Sequence, residues 1–260
     1  MKGFIKIMKL NFNKITFLDK EKYIYIKPNK FTGQFNYLFK KLSNLKDTIN
    51  DDLKIWSKNS NSRKNKSIYL KSRKNKLFNN KEIKFIEYLT IKTKKFAKSH
   101  GYRLNKLQRI QVIESKSVKK KLYGEDKYLY NFHVDKLNTF KSLFFINGIS
   151  PKNGPFQLGT DFSYQNKQEI LKILNYKKKL IKKISVNKKL NFRDLNTQIN
   201  IKKHFDVVGK RNSIFIINGD WPHRASLISK NHKRKLIIFE WFTVEDSKIY
   251  KNDLKKNNNF

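Results

Sequence analysis

The sequence has no cysteine among its 260 residues. A disulfide and a metal site with thiolate ligands are therefore excluded, although this absence does not identify the redox compartment. Long hydrophobic runs are also missing, and no segment reaches the roughly 20 apolar residues of a membrane-spanning helix. The first ten residues alternate apolar with basic side chains and lack the continuous apolar region of a signal peptide. We expect a soluble, cytoplasmic protein with no membrane span.

Glycine and acidic residues are scarce as well. The 9 glycines form neither a phosphate-binding loop nor a dinucleotide-binding pattern. The 20 acidic residues stand against 60 Lys and Arg, a formal net charge of +40. This excess fits an anionic partner such as nucleic acid, a phosphorylated substrate or an anionic surface. It also fits AT-rich coding DNA, which produces many Lys, Asn, Ile and Phe. The even spread of lysines favours the second interpretation and makes nucleic acid an unlikely partner.

Hydrophobic residues make up 38% of the chain and aromatic residues 14%, which is typical of a globular protein. The length suits one large domain with a substantial core. We predict a single domain over residues 1–245, with an N-terminal helical decoration over 30–101 and a β core over 105–245. A basic tail is expected over 246–260.

The spacing of apolar residues predicts helices over 34–57, 81–99 and 166–185. The lysine run Lys177–Lys179 is expected to be a solvated face of the third helix. Residues 57–81 are dense in Ser, Asn, Lys and Arg, and we predict a surface loop there. Short apolar runs bounded by turn residues predict strands. These are Phe4–Leu10, Tyr23–Lys27, Ile110–Ile113, Tyr128–Asp135, Lys141–Ile149 and Ser213–Ile217, with turns over Lys119–Asp126 and Lys152–Pro155.

Candidate metal ligands occur in two separated segments. In His133-x-Asp135, the spacing places an imidazole and a carboxylate on the same side of an extended strand. A third ligand is available at His223, which lies between two apolar runs. Two histidines and one carboxylate form the facial triad of non-haem Fe(II) oxygenases, which leaves the opposite face of the metal open.

A second His-x-acid match, His204-x-Asp206, competes with the first. His204 lies only 19 residues before His223, too close for several barrel strands to intervene, whereas His133 lies 90 residues before it. We therefore expect His204 and Asp206 to be a structural pair in a loop or at a strand edge.

Arg234 follows His223 by 11 residues and opens an apolar run that extends to Trp241. An antiparallel strand returning beside His223 would bring Arg234 into the same cavity. A guanidinium there can bind a carboxylate through two parallel hydrogen bonds.

Together these features resemble the phytanoyl-CoA dioxygenase-like family over roughly residues 105–245. The matching elements are His133-x-Asp135, the apolar strand Phe144–Ile146, the turn Asn153–Phe156, His223 and Arg234. Members are oxygenases that depend on Fe(II) and 2-oxoglutarate. Their fold is a double-stranded β-helix, a jelly-roll or cupin-like architecture, so the resemblance implies a mainly β chain with flanking helices.

The resemblance also implies roles for single residues. His133, Asp135 and His223 would be the catalytic metal ligands, and Arg234 would bind the distal carboxylate of 2-oxoglutarate. Ascorbate is a candidate additional cofactor. Several members carry a serine two residues after the second histidine, where this chain has Ala225 followed by Ser226. Ser226 and Gln111 are candidate contacts to the cosubstrate, and otherwise ordinary polar residues of strands.

Two functions remain open at this stage. The first is a dioxygenase that hydroxylates a C–H bond of a small or carrier-linked organic substrate, an anionic one included. The alternative is a non-catalytic basic β-barrel module that binds nucleic acid or another polyanion. The triad and the arginine favour the first function, and the charge alone favours the second. Variable insertions bind the substrate in such folds, and residues 57–81 and 160–200 are the candidates.

Overall fold

The structure is a computed structural model that describes residues 23–60, 63–71, 77–117, 130–160, 163–186 and 196–247. A 3-10 turn spans Pro151–Asn153. The helices and strands, in chain order, are β1 (Tyr23–Ile26), α1 (Lys30–Gly33), α2 (Tyr37–Ser43), β2 (Thr48–Ile49), β3 (Leu53–Asn59), β4 (Arg63–Leu70), α3 (Asn80–Ser99), β5 (Leu104–Lys116), β6 (Thr139–Phe145), β7 (Phe156–Gly159), α4 (Tyr164–Val186), β8 (His204–Val207), β9 (Ile214–Asn218), β10 (His223–Ala225) and β11 (Lys233–Thr243). The prediction of a mainly β chain with flanking helices is confirmed.

The strands form two antiparallel sheets. The large sheet has eight strands in the order β1-β9-β6-β11-β5-β4-β3-β2, and the small sheet has three in the order β10-β7-β8. From β6 onward the chain passes repeatedly between the sheets, because β6, β9 and β11 belong to the large sheet and β7, β8 and β10 to the small one. Several strands that follow one another in the chain, such as β9 and β10, therefore lie in opposite sheets.

The large sheet is covered on both faces. Helices α2 and α3 pack on one face through a large apolar core, whose buried members include Leu38, Leu42, Phe85, Leu89, Phe96, Phe140, Phe144, Ile237, Phe239 and Trp241. The small sheet packs on the other face through a second core, which includes Ile113, Leu143, Phe145, Leu158, Val207, Phe215, Ile217 and Leu236. Alternate residues of the same strands enter different cores, as the period of two of a β-strand requires.

Helix α3 begins with a capping box. The side chain of Asn79 accepts from the N–H of Glu82 at 3.0 Å, and Glu82 accepts from the N–H of Asn79 at 2.7 Å. The helix ends at Ser99 with His100 as its C-cap, and Gly101 follows with a φ of +79°, which glycine adopts without strain. Predicted over residues 81–99, this helix is confirmed, as is the predicted helix over 166–185, which lies within α4.

Two predictions for the N-terminal part are wrong. The predicted helix over 34–57 ends at Ser43, and its remainder contains β2 and most of β3. The predicted loop over 57–81 contains β4, which pairs with β3 and β5. The helix was predicted too long because apolar residues spaced by four along the chain also fit the alternation by two of a strand. The strand β4 was missed because backbone pairing holds it, and its polar side chains give no sign of that pairing. The decoration over 30–101 is therefore partly β and extends the large sheet.

Other predicted boundaries also shift. The expected strand over Tyr128–Asp135 is reduced, within its described residues, to two isolated β-bridges at His133, one to Gln198 and one to His223. The expected tail over 246–260 begins too early, because Asp246 and Ser247 are 0% and 1% exposed. The predicted elements Phe4–Leu10 and Lys119–Asp126, and residues 248–260, lie outside the described residues. None of the described helices is long and apolar enough to cross a membrane.

Candidate metal centre

The two histidine segments lie side by side. His133 and His223 form an antiparallel bridge in which the N–H of each donates to the carbonyl of the other, at 3.0 and 2.9 Å. The N–H of Asp135 donates to the carbonyl of Gly219 at 2.7 Å. These backbone bonds bring together residues that lie far apart in the chain.

Each imidazole is oriented by the carbonyl two residues before it. Nδ1 of His133 lies 2.8 Å from the carbonyl oxygen of Asn131, and Nδ1 of His223 lies 2.7 Å from that of Trp221. Because a carbonyl oxygen only accepts, Nδ1 carries the proton and the lone pair is on Nε2. This is how metal-ligating histidines are usually held.

The carboxylate of Asp135 is held by two donors. It accepts from Thr139 Oγ1 at 2.6 Å and from Lys141 Nζ at 2.8 Å, and Oδ1 lies 3.6 Å from Nε2 of His223. Gly219 makes room for this arrangement, because a Cβ there would clash with the side chains of Asp135 and Thr139. A glycine is therefore required next to the second ligand segment.

The donor set fits a divalent metal. One ligand atom from each of His133, Asp135 and His223 lies within 4.8 Å of the other two. Three donor atoms this close to one another can bind a single metal ion, to which each would form a bond of about 2.0–2.2 Å. Two imidazole nitrogens and one carboxylate oxygen leave further metal positions open, as in non-haem Fe(II) sites.

Burial and charge set the protonation of this group. Burial lowers the pKa of His133, and it lowers the pKa of His223 to about 3. Burial alone would raise the pKa of Asp135, but Lys141 and the two imidazoles outweigh it and hold that pKa below its usual range. At neutral pH the site therefore presents two neutral imidazoles and one carboxylate.

A cavity of about 110 Å³ adjoins the two histidines. Its apolar wall consists of Ile113, Leu143, Phe145, Phe156, Leu236 and Ile238. Its charged wall is basic, with Arg63, Lys141 and Arg234, and no acidic side chain lines it in the part of the chain that the structure describes. Phe156 also stacks on the ring of His223, with centroids 5.2 Å apart.

Arg234 is 6% exposed and lies at the end of this cavity formed by β5 and β11. Its Nη1 donates to the carbonyl of Gly154, and its Nε has no hydrogen-bond partner among the described residues. Burial, with a smaller contribution from Arg63, lowers its pKa to about 10, so it stays charged at neutral pH. A buried cation with no carboxylate beside it among the described residues of the cavity wall favours an anionic ligand.

The remaining predicted residues divide into two groups. Gln111 lines the cavity, and its Nε2 donates to Ser67 Oγ at 3.5 Å. Ser226 does not line it, although Ala225 does, because successive residues of a strand face opposite sides. The buried hydroxyl of Ser226 has no hydrogen-bond partner among the described residues.

Two other features of this region concern packing. Trp221 belongs to the core between the sheets and donates from Nε1 to the carbonyl of Gly159 at 3.0 Å. His204 and Asp206 lie on β8, the outer strand of the small sheet, with Nε2 and Oδ1 4.0 Å apart. The expected strand-edge pair is confirmed.

Sequence reasoning missed two lysines. Lys141 contacts Asp135, and a single lysine inside the apolar run Thr139–Phe145 is a signal that points to a charged partner. Lys177 was predicted to be solvated but is 1% exposed and contacts the Asp135 segment. No sequence signal separates it from Lys178 and Lys179.

No family model and no curated protein matches this chain. Solved structures with similar folds include EvdMO1, at 10% identity and a TM-score of 0.44 over 85% of this chain and 47% of that one. The epimerase SnoN in complex with Fe3+, alpha ketoglutarate and nogalamycin RO is 9% identical, with a TM-score of 0.47 over 85% and 78%. HygX from Streptomyces hygroscopicus, with nickel and 2-oxoglutarate bound, is 13% identical, with a TM-score of 0.42 over 86% and 83%. The chain spans about half the length of EvdMO1.

Proposed function

We propose that this chain is an Fe(II)- and 2-oxoglutarate-dependent dioxygenase of the phytanoyl-CoA dioxygenase-like type. The observation that carries the proposal is one cavity with two kinds of binding group. His133 and His223 line it beside Asp135, and the buried guanidinium of Arg234 lines it as well. A metal and a carboxylate-bearing cosubstrate are the ligands that such a pair of groups requires.

His133, Asp135 and His223 would hold the metal through Nε2, a carboxylate oxygen and Nε2. Fe(II) bound there supplies dioxygen activation coupled to oxidative decarboxylation of 2-oxoglutarate. The residues of the chain orient the cosubstrate and exclude water from the site. Arg234 binds and orients the distal carboxylate, and the apolar wall keeps bulk water away from the reacting groups.

The volume of the cavity limits what it accepts. About 110 Å³ is well below the roughly 300–1,000 Å³ of pockets that enclose drug-sized ligands. A small dicarboxylate suits this space, and the organic substrate then binds outside it. We propose hydroxylation of a small or carrier-linked substrate that approaches from the open side of the metal.

The topology supports a double-stranded β-helix. The strands that surround the site run β9-β6-β11-β5 in the large sheet, with the His133 bridge and β10-β7-β8 opposite them. The chain enters the two sheets in alternation, as a jelly-roll does. We infer a single domain, because the large sheet contains strands from both ends of the described chain, β1 and β11.

One observation favours the alternative, a polyanion-binding module. A larger cleft of about 550 Å³ lies beside α2 and β4 and is lined by Lys40, Lys64, Lys66 and Lys235, with Glu114 as its acid. Lys66 Nζ lies 3.8 Å from Asp47, and Lys235 Nζ lies 3.9 Å from Glu114, so part of this charge is already neutralised. The cleft is therefore a weaker basis for a function than the buried site.

Anaerobic titration of the purified protein with Fe(II) and then 2-oxoglutarate tests the dioxygenase proposal. We expect a charge-transfer band that requires both ligands, and succinate formation when oxygen is admitted. Absence of the band at saturating Fe(II) would refute the proposal. Salt-sensitive oligonucleotide binding that Lys64→Glu weakens, without any such band, would support the alternative.

A further inference from the structure

Lys177 is a buried lysine in a helix that otherwise exposes its lysines. Its side chain is 1% exposed, whereas its neighbours Lys178 and Lys179 are exposed. Removing an ammonium group from water is unfavourable unless a charge and hydrogen bonds compensate. The contacts of Lys177 should therefore explain why α4 turns this lysine inward.

The ammonium group of Lys177 has two acceptors, one in each ligand segment. It donates to the backbone carbonyl of Asp135 at 2.7 Å and to Oδ1 of Asp220 at 2.6 Å. Asp220 lies three residues before His223. Lys177 is thus a direct link between the segment that carries His133 and Asp135 and the segment that carries His223.

The second acceptor is itself held firmly. Oδ2 of Asp220 accepts from the hydroxyl of Tyr102 at 2.9 Å, and its backbone N–H donates to the side chain of Asn218 at 2.9 Å. The charge of Asp220, followed by burial, raises the pKa of Tyr102, so that hydroxyl remains a donor. Lys177 therefore binds to a carboxylate that cannot easily rotate away.

We propose that Lys177 is a positioning residue that sets the separation of the Asp135 carboxylate from the His223 imidazole. The backbone bond from Asp135 to Gly219 brings the two segments together, and Lys177 holds the carbonyl side of Asp135 against the turn before His223. Helix α4 thereby becomes part of the metal centre without supplying a ligand. The inference rests on the metal site of the proposed function.

A purely structural role would have a different signature. If Lys177 only neutralised Asp220, its loss would lower stability and leave the affinity of the folded protein for metal unchanged. If it positions the ligands, affinity falls even when the protein is fully folded. Metal affinity, measured well below the unfolding transition, separates the two roles.

The experiment compares Lys177→Met, which keeps the apolar stem, with Lys178→Met, a matched exposed control on the same helix. Calorimetric titration uses Ni(II) as a redox-inert probe, and Co(II) absorption reports ligand geometry. We expect Lys177→Met to weaken Ni(II) binding about 10- to 100-fold, the usual effect of removing a group that orients metal ligands. Lys178→Met should bind Ni(II) like the wild type, and Lys177→Arg should restore part of the affinity.

Three outcomes would separate the hypotheses. Wild-type protein that binds neither metal would refute the metal site itself and this inference with it. Wild-type binding together with unchanged Ni(II) affinity and Co(II) spectrum in folded Lys177→Met would overturn only the role of Lys177. If Lys177→Met does not fold, Lys177→Arg decides, because the charge stays while the geometry changes. Weaker binding with an altered Co(II) spectrum supports positioning, and wild-type values refute it.

Discussion

The two faces of the large sheet are built from the same strands and differ sharply in chemistry. Toward α3, strands β6 and β11 present Phe140, Phe144, Phe239 and Trp241, which belong to one apolar core. Toward the small sheet, the alternate residues of these strands include Thr139, Lys141, Arg234 and Glu240. Thr139 donates to Asp135, Nζ of Lys141 lies 3.9 Å from Glu240, and Lys141 and Arg234 line the cavity.

The difference shows where stability and chemistry are separated. The helix-covered face buries mainly large apolar side chains, with one buried polar contact between Ser142 and Thr93, and provides a rigid support. The cavity face buries charges, and each needs a partner at a defined distance, as in the pairs Arg109–Glu240 and Lys141–Asp135. A change on the first face should act on folding, and a change on the second should act on ligands. Substitutions at the metal ligands, at Phe85 and at Arg234 test this separation.

The largest effect is expected at the metal ligands. His133→Ala, or Asp135→Asn, should weaken binding of Ni(II) or Fe(II) by well over the roughly 100-fold typical of losing a supporting group, and should abolish turnover. The fold should remain, because these residues lie at a cavity and outside the apolar cores. Anaerobic calorimetry with thermal unfolding tests this expectation. A variant that kept wild-type metal affinity would remove that residue from the ligand set.

The next effect concerns the helix-covered face. Phe85 is fully buried, stacks on Phe35 with centroids 4.2 Å apart, and contacts Phe144 and Phe239. Phe85→Ala should lower the free energy of unfolding by about 3–5 kcal/mol. Denaturant titration measures this loss. Ni(II) affinity at low denaturant should stay within a factor of two, and a large change in it would contradict the separation of the two faces.

Arg234 tests the cavity face without touching the metal. Arg234→Ala should leave metal affinity intact and weaken 2-oxoglutarate binding by about 2–5 kcal/mol, on the order of 30-fold or more. Arg234→Lys should recover only part of the loss, because an ammonium cannot form two parallel bonds to a carboxylate. The charge-transfer band of the Fe(II) protein reports both affinities. Equal affinity in wild type and variant would show that Arg234 has no role in cosubstrate binding.

The smallest effect is a pH dependence at the end of β11. Asp246 accepts from the N–H of Asn138 at 2.6 Å, and burial raises its pKa to about 6. Because the folded protein favours the protonated carboxyl of Asp246, the free energy of unfolding of the wild type should fall as pH rises from about 4 to about 6. Asp246→Asn should lack this loss, and its relative stability should rise by about 1–3 kcal/mol across that window. Urea titrations at pH 4.5 and 7.5 measure the difference, and parallel curves would refute the shift.

Much of the candidate site was predictable because its signals are local or arise from spacing. The interval of two residues between His133 and Asp135, and that of 11 between His223 and Arg234, place side chains on defined sides of extended segments. The structure brings His133, Asp135 and His223 together, and Arg234 lines the cavity beside them. Ser226 was a weaker candidate because it depended on a one-residue offset, which in a strand reverses the direction of the side chain.

The amino-acid sequence by itself determined the mainly β class, the absence of thiolate chemistry, helices α3 and α4, and the identity of the ligand candidates. Only the tertiary structure decided that β3 and β4 pair with each other and extend the large sheet beyond β5, since a polar strand gains its stability from backbone pairing. It also decided which lysine of Lys177–Lys179 is buried. The three share one local pattern, and only Lys177 reaches Asp135 and Asp220, whose positions depend on strands distant in the chain.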